Sequence, residues 1–240
     1  MTWNIGNADL ETETRAHTQD LPAVARVILE NDADAVALQE LTGEDQLKLL
    51  LRHLDNRYRG YVCHAGKSDR VEAVLVKDQA GSKSELGVRF NDVPASDRFA
   101  AAATFRLYKD RPEIVLVSVH ADAFNASRRR SFTEAVVDWA RGRAANNIIF
   151  IAGDLNFEVS TRNRSNLFTD DAKHDSESFA YLLKYFSDFG REAGATSIND
   201  RRIDYVFGPA ITSSLRRAEV LRRAAVGRMD HWPLLVEVAF

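Results

Sequence analysis

The chain has 240 residues, 45% of them hydrophobic and 28% charged, which is enough apolar material for the core of one large domain or two small ones. This composition excludes a disordered, collagen-like or coiled-coil chain, and a formal net charge of -3 excludes a strong overall attraction to polyanions. Cys63 is the only cysteine, so an intramolecular disulfide is excluded and a reducing compartment is expected.

The hydrophobic pattern alternates short apolar strands with amphipathic helices and shows no internal repeat or linker. In the first half of the chain a first strand is predicted near Asn4, with helices over 22–31 and 47–54 and strands over 35–38, 71–76, 100–107 and 114–119. In the second half helices are predicted over 132–139 and 179–186, the latter ending before Gly190, with strands over 148–152, 205–207 and 234–238. The polar segment 157–173 is predicted to be a surface loop that shapes access to a site.

Apolar runs in the chain are short. The longest ones, such as 148–152, fall far below the roughly 20 residues of a helix that spans a bilayer. Met1 leads almost directly into Thr2, with no basic segment followed by an apolar region of the kind that marks a secretory signal. We therefore expect a cytoplasmic protein without a membrane span.

Several polar residues come directly after predicted strands. Glu40 and His120 each follow a buried strand. Asp154 and Asn156 follow another strand across Gly153, a residue that suits a tight turn. Each of these residues alone is typical of a turn or a solvent-facing strand end. Their shared position at strand ends predicts a functional edge.

A second set of polar residues comes directly before predicted strands instead. Asp204 precedes the strand over 205–207, and the pair Asp230–His231 precedes the final strand. Strands marked at opposite ends bring these residues to one edge only if the strands run in opposite directions. The sequence therefore predicts a mixed sheet arrangement with one polar edge. Asn4 can join that edge from the first strand, which ties the two ends of the chain into a single domain over residues 1–240.

Six short motifs carry a family resemblance. In chain order they are Thr-Trp-Asn-Ile (2–5), Ala-Leu-Gln-Glu (37–40), Ser-Val-His (118–120), Gly-Asp-Leu-Asn (153–156), Arg-Ile-Asp-Tyr (202–205) and Asp-His-Trp-Pro-Leu (230–234). The series resembles the motifs of the endonuclease/exonuclease/phosphatase superfamily, of which deoxyribonuclease I is the best-known member. The resemblance implies an α/β fold, a four-layered sandwich in which two mixed β-sheets pack face to face with helices outside. Met229 departs from the pattern, since the family usually has serine before Asp-His.

The resemblance implies a divalent-metal site. Glu40 would hold the metal ion, helped by Asn4 and Asp230. These candidates offer hard oxygen atoms, which favour Mg²⁺ or Mn²⁺ over zinc, and no Cys/His spacing in the sequence argues for zinc. The expected cofactor is therefore Mg²⁺ or Mn²⁺.

The resemblance also implies the catalytic roles. Asp154 would orient and deprotonate the attacking water, and Asn156 would hydrogen-bond the phosphoryl group. His231, oriented by Asp204, would steady the developing charge or protonate the leaving oxygen. His120 would be a second imidazole on the phosphate, and its carboxylate partner is left open between Glu72 and Asp69.

Arginines are concentrated in two places that predict contacts with a phosphate backbone. Seven of them lie between 201 and 228 against two acidic residues, and a triplet occupies 128–130. Arg130 and Arg202 are the candidates for substrate phosphate, although ion pairing on a solvated face is the usual role of such residues.

The function expected from the resemblance is hydrolysis of phosphate ester bonds by a metal-dependent phosphodiesterase, with nucleic acid as the expected partner and an endonuclease or exonuclease mode. The alternatives are the same chemistry on a phospholipid, an inositol phosphate or a tyrosyl-DNA link, or a catalytically inactive binding module. Substrate selectivity depends on loops whose shape the sequence does not specify.

Overall fold

The structure is a computed structural model that describes residues 1–6, 17–64, 70–78, 87–159, 171–209, 215–224, 226–227 and 229–239. Within these ranges the chain forms two six-stranded sheets. The first sheet contains, in order across it, β11 (Leu215–Val220), β12 (Leu234–Val238), β1 (Thr2–Asn4), β2 (Ala35–Leu41), β4 (Val71–Lys77) and β3 (Tyr58–Val62). The second contains β5 (Arg89–Ala95), β6 (Arg98–Phe105), β7 (Glu113–His120), β8 (Asn147–Asp154), β10 (Asp204–Pro209) and β9 (Phe186–Asp188).

Both sheets are mixed. In each of them one central pair is parallel, β1 with β2 and β7 with β8, and the other described pairs are antiparallel. A parallel pair needs a crossover connection, and a helix lies between the two strands of each pair in the sequence. The helices are α1 (His17–Glu30), α2 (Glu44–His53), α3 (Ala126–Arg141) and α4 (Ala172–Leu183). In the part of the chain that is described, no helix is long and apolar enough to cross a membrane.

The apolar residues form two cores that separate the four layers. One core lies between the sheets and extends to α1 and α2, and it contains Trp3, Leu38 and Phe150. The other lies between the second sheet and the helices α3 and α4, and it contains Phe132 and Phe207. The α/β sandwich with two mixed sheets, predicted from the resemblance, is confirmed.

The alternation of side chains along β8 explains why its last residue faces the other sheet. Ile149 and Ile151 belong to the core under the helices, whereas Phe150 and Ala152 belong to the core between the sheets. Successive strand residues point to opposite faces, so Asp154 continues the inward series. The same period of two applies to β7 and β10, and it turns their terminal polar residues toward the first sheet.

Gly153 is the residue that lets β8 end beside β7. Its φ is 151°, and a Cβ atom there would lie 2.0 Å from the carbonyl oxygen of Val119. We expect Gly153→Ala to lower the free energy of unfolding by several kcal/mol, because the new methyl group overlaps backbone atoms that cannot move away. Urea denaturation measures this loss, and Gly142→Ala is the control because the nearest atom to its Cβ is 3.6 Å away. A Gly153→Ala protein as stable as wild type would contradict the argument.

Most predicted elements are present, with corrections at their ends. The helix predicted over 179–186 ends at Leu183, and Phe186 instead begins β9, so Gly190 is not its stop. The edge strands β3, β5, β9 and β11 were missed by the sequence pattern. Of the predicted loop over 157–173, residues 160–170 lie outside the described residues, and the last two belong to α4.

Candidate active site

Asp154 lies at the centre of a buried polar cluster between the two sheets, with 1% of its surface exposed. Its Oδ2 accepts a hydrogen bond from Asn4 Nδ2 at 3.1 Å and lies 3.7 Å from His231 Nε2 and 3.8 Å from His120 Nε2. Its Oδ1 accepts from the backbone N–H of Asn156 at 2.8 Å. Residues from β1, β7, β8 and the segment before β12 therefore meet at one carboxylate.

Glu40 reaches the cluster from the first sheet through an irregularity in β2. The register between β2 and β4 shifts between Leu38 and Leu41, and Glu40 adopts a φ of 62°. Glu40 Oε1 accepts from Asn4 Nδ2 at 3.0 Å and lies 3.7 Å from His120 Nε2. The carboxylate also approaches Gly6 closely, since a Cβ atom there would lie 2.3 Å from Glu40 Oε2.

Asn4 lies between the two carboxylates of the cluster. Its amide nitrogen donates to both Glu40 and Asp154, while its Oδ1 accepts from the backbone N–H of Gly6 at 2.9 Å. The amide oxygen, which has a second lone pair, is the atom that could ligate a cation. Asn4 thus bridges and orients the two carboxylates, and its role as a metal ligand stays a prediction.

His231 and Asp204 form a hydrogen-bonded pair, as the resemblance implied. His231 Nδ1 lies 2.8 Å from Asp204 Oδ2, and both side chains are almost fully buried. Asp204 begins β10 directly opposite Asp154 in the antiparallel ladder, which explains why the two carboxylates face the same side. This pairing leaves His231 Nε2 as the ring atom that faces Asp154.

His120 has a carboxylate partner in Glu72, one of the two candidates. The distance from His120 Nδ1 to Glu72 Oε1 is 3.8 Å, and Glu72 is buried. Asp69, the other candidate, lies outside the described residues. Cys63, whose role the sequence did not suggest, contacts Glu72 with its thiol, with Sγ 3.1 Å from Oε2.

Asp230 stands at the solvent side of the cluster, with its side chain 33% exposed. Its Oδ1 is 3.9 Å from His231 Nε2, and its Oδ2 is 3.8 Å from Arg201 Nη2. The backbone carbonyl of Asp230 accepts from Ser197 Oγ at 2.9 Å. Ser197 therefore gives the Asp230–His231 segment a serine hydrogen bond, although Met229 replaces the serine that the family usually has before Asp-His. Met229 is buried in the core between the sheets.

Asn156 has a left-handed φ of 52° and is buried beside Asp154. Its Nδ2 donates to the carbonyl of Ala121 at 3.0 Å, which ties the segment after β8 to the segment after β7. The amide group carries two N–H donors, so one remains for the phosphoryl contact that the resemblance implies.

The structure gives the two candidate phosphate-binding arginines other partners. Arg202 Nη2 contacts Asp188 Oδ2 at 2.6 Å, and its guanidinium lies over the Tyr205 ring. Arg130 on α3 pairs with Glu134 and Glu177. Neither places its guanidinium against the described residues of the cluster. Other arginines of the two concentrations are also dispersed: Arg129 is buried, Arg217 pairs with Glu219, Arg222 lies over Trp232, and Arg228 is outside the described residues. Arg201, which is buried, is the exception, since it lies beside Asp230.

A chain of buried hydrogen bonds next to the cluster joins the two sheets, and the sequence pattern does not predict it. Gln39 Nε2 donates to Ser118 Oγ at 2.9 Å, and Ser118 Oγ donates to the carbonyl of Leu38 at 2.9 Å. Thr2 Oγ1 donates to Gln39 Oε1 at 3.4 Å. Gln39 and Ser118 belong to the same motifs as Glu40 and His120, but inside a strand a single polar residue gives no functional signal of its own. These hydrogen bonds fix the position of one sheet relative to the other.

Burial and mutual charge shift the pKa values at the centre of the site. Burial raises the pKa of Asp154 to about 6, with a further contribution from Asp204, while the two histidines oppose the rise. Burial alone would lower the pKa of His231, but Asp204, Asp154 and Asp230 outweigh it and raise that pKa to about 10. His231 is therefore held as an imidazolium beside a carboxylate whose pKa is close to neutrality.

The donor atoms fit a divalent cation. Carboxylate oxygens of Asp154 and Asp204 and a ring nitrogen of His231 lie within 4.8 Å of one another. The two carboxylates can ligate a cation as they stand, whereas the imidazolium of His231 would first have to lose a proton. Asp204 Oδ1 is buried without a hydrogen-bond partner among the described residues. With Glu40 and Asp230 beside this group, the oxygen donors outnumber the nitrogen donors, which is the chemistry of Mg²⁺ or Mn²⁺ sites.

Comparison with known proteins agrees with this geometry. Residues 1–227 match the endonuclease/exonuclease/phosphatase family. The chain belongs to this family. Its members are hydrolases of phosphate esters and generally depend on a divalent metal ion. No curated protein sequence matches the chain at a significant level.

Solved structures share the fold of this endonuclease/exonuclease/phosphatase protein at low sequence identity. A family protein from Bacteroides vulgatus has a TM-score of 0.72 and 16% identity, over 99% of this chain and 97% of that one. A mannosyl-6-phosphatase from Bacteroides thetaiotaomicron has a TM-score of 0.70 and 19% identity, over 92% and 91%. TDP2 from Caenorhabditis elegans has a TM-score of 0.65 and 15% identity, over 97% and 72%. At these identities the likeness establishes the fold alone.

Proposed function

We propose that the chain is a divalent-metal-dependent phosphodiesterase that hydrolyses phosphate ester bonds in nucleic acid. The observation that carries the proposal is the convergence of Glu40, Asp154 and His231 on one buried cluster between the sheets. These residues are far apart in sequence, and each comes from a different strand end. A binding module without activity would not need a buried carboxylate and an imidazolium in contact.

Glu40 and Asp230 are the residues proposed to hold the metal ion, with Asn4 orienting Glu40. When bound, the ion supplies positive charge that neutralises the phosphate. The cluster holds four carboxylates, Glu40, Asp154, Asp204 and Asp230, against the imidazolium of His231 and the Arg201 guanidinium beside Asp230. This charge imbalance supports a cation as part of the functional site.

Asp154 is proposed to accept the proton of the attacking water. A general base works best when its pKa is near the working pH, and the pKa of Asp154 is raised to about 6 by burial and by Asp204. The water oxygen then attacks phosphorus, and the bond to the leaving oxygen breaks. Asn156 has an N–H left to donate to a phosphoryl oxygen.

His231 is proposed to donate a proton to the leaving oxygen. Asp204 holds its Nδ1, so Nε2 carries the proton toward the reacting group. His120, paired with Glu72, is proposed to donate to a second phosphoryl oxygen. The two imidazoles approach Asp154 at 3.7 and 3.8 Å, which supports a shared phosphate between them.

A substrate panel with Mg²⁺ tests the proposal. The panel contains methyl p-nitrophenyl phosphate, plasmid DNA, single-stranded and abasic DNA, RNA, a tyrosyl-linked oligonucleotide, sphingomyelin, an inositol phosphate and mannose 6-phosphate. We expect cleavage of the simple diester and of a nucleic acid. Cleavage of only a monoester or a lipid would move the protein to another substrate class, and no cleavage of any member would contradict the proposed chemistry.

His231→Ala is expected to lower kcat on an oligonucleotide by about 10²–10⁴-fold, because it removes the general acid that protonates the leaving alkoxide oxygen. The control is His174→Ala, since His174 on α4 also pairs with a carboxylate, with Nδ1 2.6 Å from Asp171 Oδ2, but lies outside the cluster. Kinetics and circular dichroism of both variants distinguish lost chemistry from lost folding. Full activity of a folded His231→Ala protein would contradict the role of His231.

A further inference from the structure

The segment between β7 and α3, residues 121–125, is fastened to the catalytic residues and is called here the rim loop. The backbone N–H of Ala121 donates to the carbonyl of Asp154 at 2.9 Å. The carbonyl of Ala121 accepts from Asn156 Nδ2 at 3.0 Å. The rim loop therefore keeps a fixed position relative to the reacting groups.

Asp122 makes the rim loop rigid. Its Oδ1 accepts from the backbone N–H groups of Phe124 and Asn125 at 2.8 and 2.9 Å. Its Oδ2 accepts from Arg98 Nη2 at 3.2 Å, and its carbonyl accepts from Arg129 Nη1 at 2.9 Å. A loop with this many hydrogen bonds can hold an exposed side chain in one place.

Phe124 is the exposed side chain that this loop holds. It is 73% exposed, four residues after His120, although a phenyl ring gains free energy from burial. Tyr108, in the turn between β6 and β7, is exposed to a similar extent at 68% but lies at the opposite end of β7. The two rings therefore offer a comparison between an aromatic beside the site and one remote from it.

Two arginines flank the rim loop. Arg98 Nη1 lies 3.5 Å from the carbonyl of His120, and its side chain is 31% exposed. Arg128 is 61% exposed, and its ion pairs with Asp97 and Asp122 are long, at 3.7 and 3.8 Å. The pair with Asp97, whose side chain is also exposed, is a loose surface pair of the kind that contributes little stability and exchanges readily for another anion. The rim loop thus combines an exposed ring with two cationic groups, of which Arg98 lies beside His120.

We propose that the rim loop is a binding subsite for single-stranded nucleic acid, in which Phe124 stacks on a base flanking the scissile phosphate and Arg128 contacts the adjacent phosphate. This inference rests on the proposed function. Stacked bases on aromatic side chains and phosphates on basic ones are the two contacts that bind single strands without sequence preference. A phosphate ester without a flanking nucleotide has neither group to offer.

The first test compares two substrates. On an octathymidylate, Phe124→Ala is expected to raise KM about tenfold with kcat changed less than about twofold, because stacking binds substrate and transition state equally. On methyl p-nitrophenyl phosphate, which has one phosphate and no base, the variant is expected to match wild type. Tyr108→Ala is the control and is expected to match wild type on both substrates.

The second test uses salt dependence. Arg128→Ala is expected to reduce the slope of log(kcat/KM) against log salt by about 0.7 on the octathymidylate, which is the loss of one phosphate contact on a single strand. Binding of the fluorescein-labelled octathymidylate in EDTA, followed by anisotropy, is expected to show the same change without turnover. Arg59→Ala is the control, since Arg59 is an exposed arginine that pairs with Asp78 at the far end of β3.

The outcomes separate this subsite from the proposed function. If wild type cleaves the simple diester but neither binds nor cleaves the octathymidylate, the subsite is wrong and the phosphodiesterase chemistry stands. The subsite is also wrong if Phe124→Ala leaves KM unchanged or if Tyr108→Ala raises it equally. If wild type cleaves neither substrate, the proposed function itself fails, and the subsite with it.

Discussion

Asp154→Asn is expected to raise the thermal stability of the metal-free protein while it lowers diester hydrolysis by about 10²–10⁴-fold. Asparagine keeps the size of the side chain, and its oxygen can still accept from the backbone N–H of Asn156. Asn4 Nδ2 loses its acceptor on Asp154 and keeps the one on Glu40, a smaller loss than the gain from removing a buried charge. The substitution removes a negative charge that is buried to 1% exposure and stands beside Asp204. Stability and activity are therefore expected to move in opposite directions at this residue.

The pH dependence follows from the raised pKa of Asp154. Because burial and Asp204 raise that pKa from 3.8 to about 6, the protonated carboxyl favours the folded state. The stability that this contributes is complete below about pH 4 and is lost as the pH rises through about 6. At about pH 7.5 the asparagine variant is expected to be more stable by on the order of 1–3 kcal/mol, and the difference disappears below about pH 4.

Thermal melts in EDTA across this pH range measure the effect, with Asp188→Asn as the control. Asp188 is also buried in the second sheet, with its side chain 2% exposed, but Arg202 neutralises it at 2.6 Å. Its replacement is expected to lower Tm, since an arginine is left without its partner. A drop in Tm for Asp154→Asn at about pH 7.5, equal to that of the control, would show that the charge of Asp154 is compensated in the metal-free protein.

The ends of the strands are the part of the site that sequence reasoning predicts well. Polar residues at the ends of β7 and β8 and at the start of β10 interrupt apolar runs, and the direction of each strand then determines where they meet. Asp204 opposite Asp154 in an antiparallel ladder is the clearest case. The position of Glu40 is harder, because the register shift in β2 that turns it into the site has no sequence signature of its own.

Roles inside a strand or a charge run were less predictable. Gln39 and Ser118 look like ordinary strand residues until the two sheets are packed together. Edge strands such as β5 bury few side chains, so their hydrophobic period is weak. The orientation of the Asn4 amide depends on Gly6, Glu40 and Asp154 together, which only the three-dimensional arrangement reveals.

The arginine triplet shows why a charge run does not identify a binding face. The three members of the triplet have different environments: Arg128 is exposed, the side chain of Arg129 is only 1% exposed, and Arg130 lies on the surface between two glutamates. A helix turns by about 100° per residue, so consecutive residues cannot share one face. The central arginine therefore belongs to the protein interior, where it contacts Asp175 on α4.

Arg129→Leu is expected to lower the free energy of unfolding by about 3–5 kcal/mol, among the largest losses available to a single substitution in this chain. Arg129 Nε and Nη2 donate to Asp175 Oδ1 at 3.1 and 2.8 Å, and Asp175 is fully buried. Without Arg129 this buried carboxylate loses two charge-assisted hydrogen bonds and the positive charge that they carry. Tm is expected to fall by about 6–20 °C in a thermal melt.

The double variant Arg129→Leu/Asp175→Leu separates the effect of the buried carboxylate charge from the loss of packing. It is expected to be more stable than Arg129→Leu alone, because two apolar side chains replace a buried ion pair at little net cost. Arg130→Ala, which removes a surface arginine from the same helix, is expected to change stability by less than about 0.5 kcal/mol. If Arg130→Ala is as destabilising as Arg129→Leu, or if the double variant is the least stable of the three, the helix pair is held by something other than this buried contact.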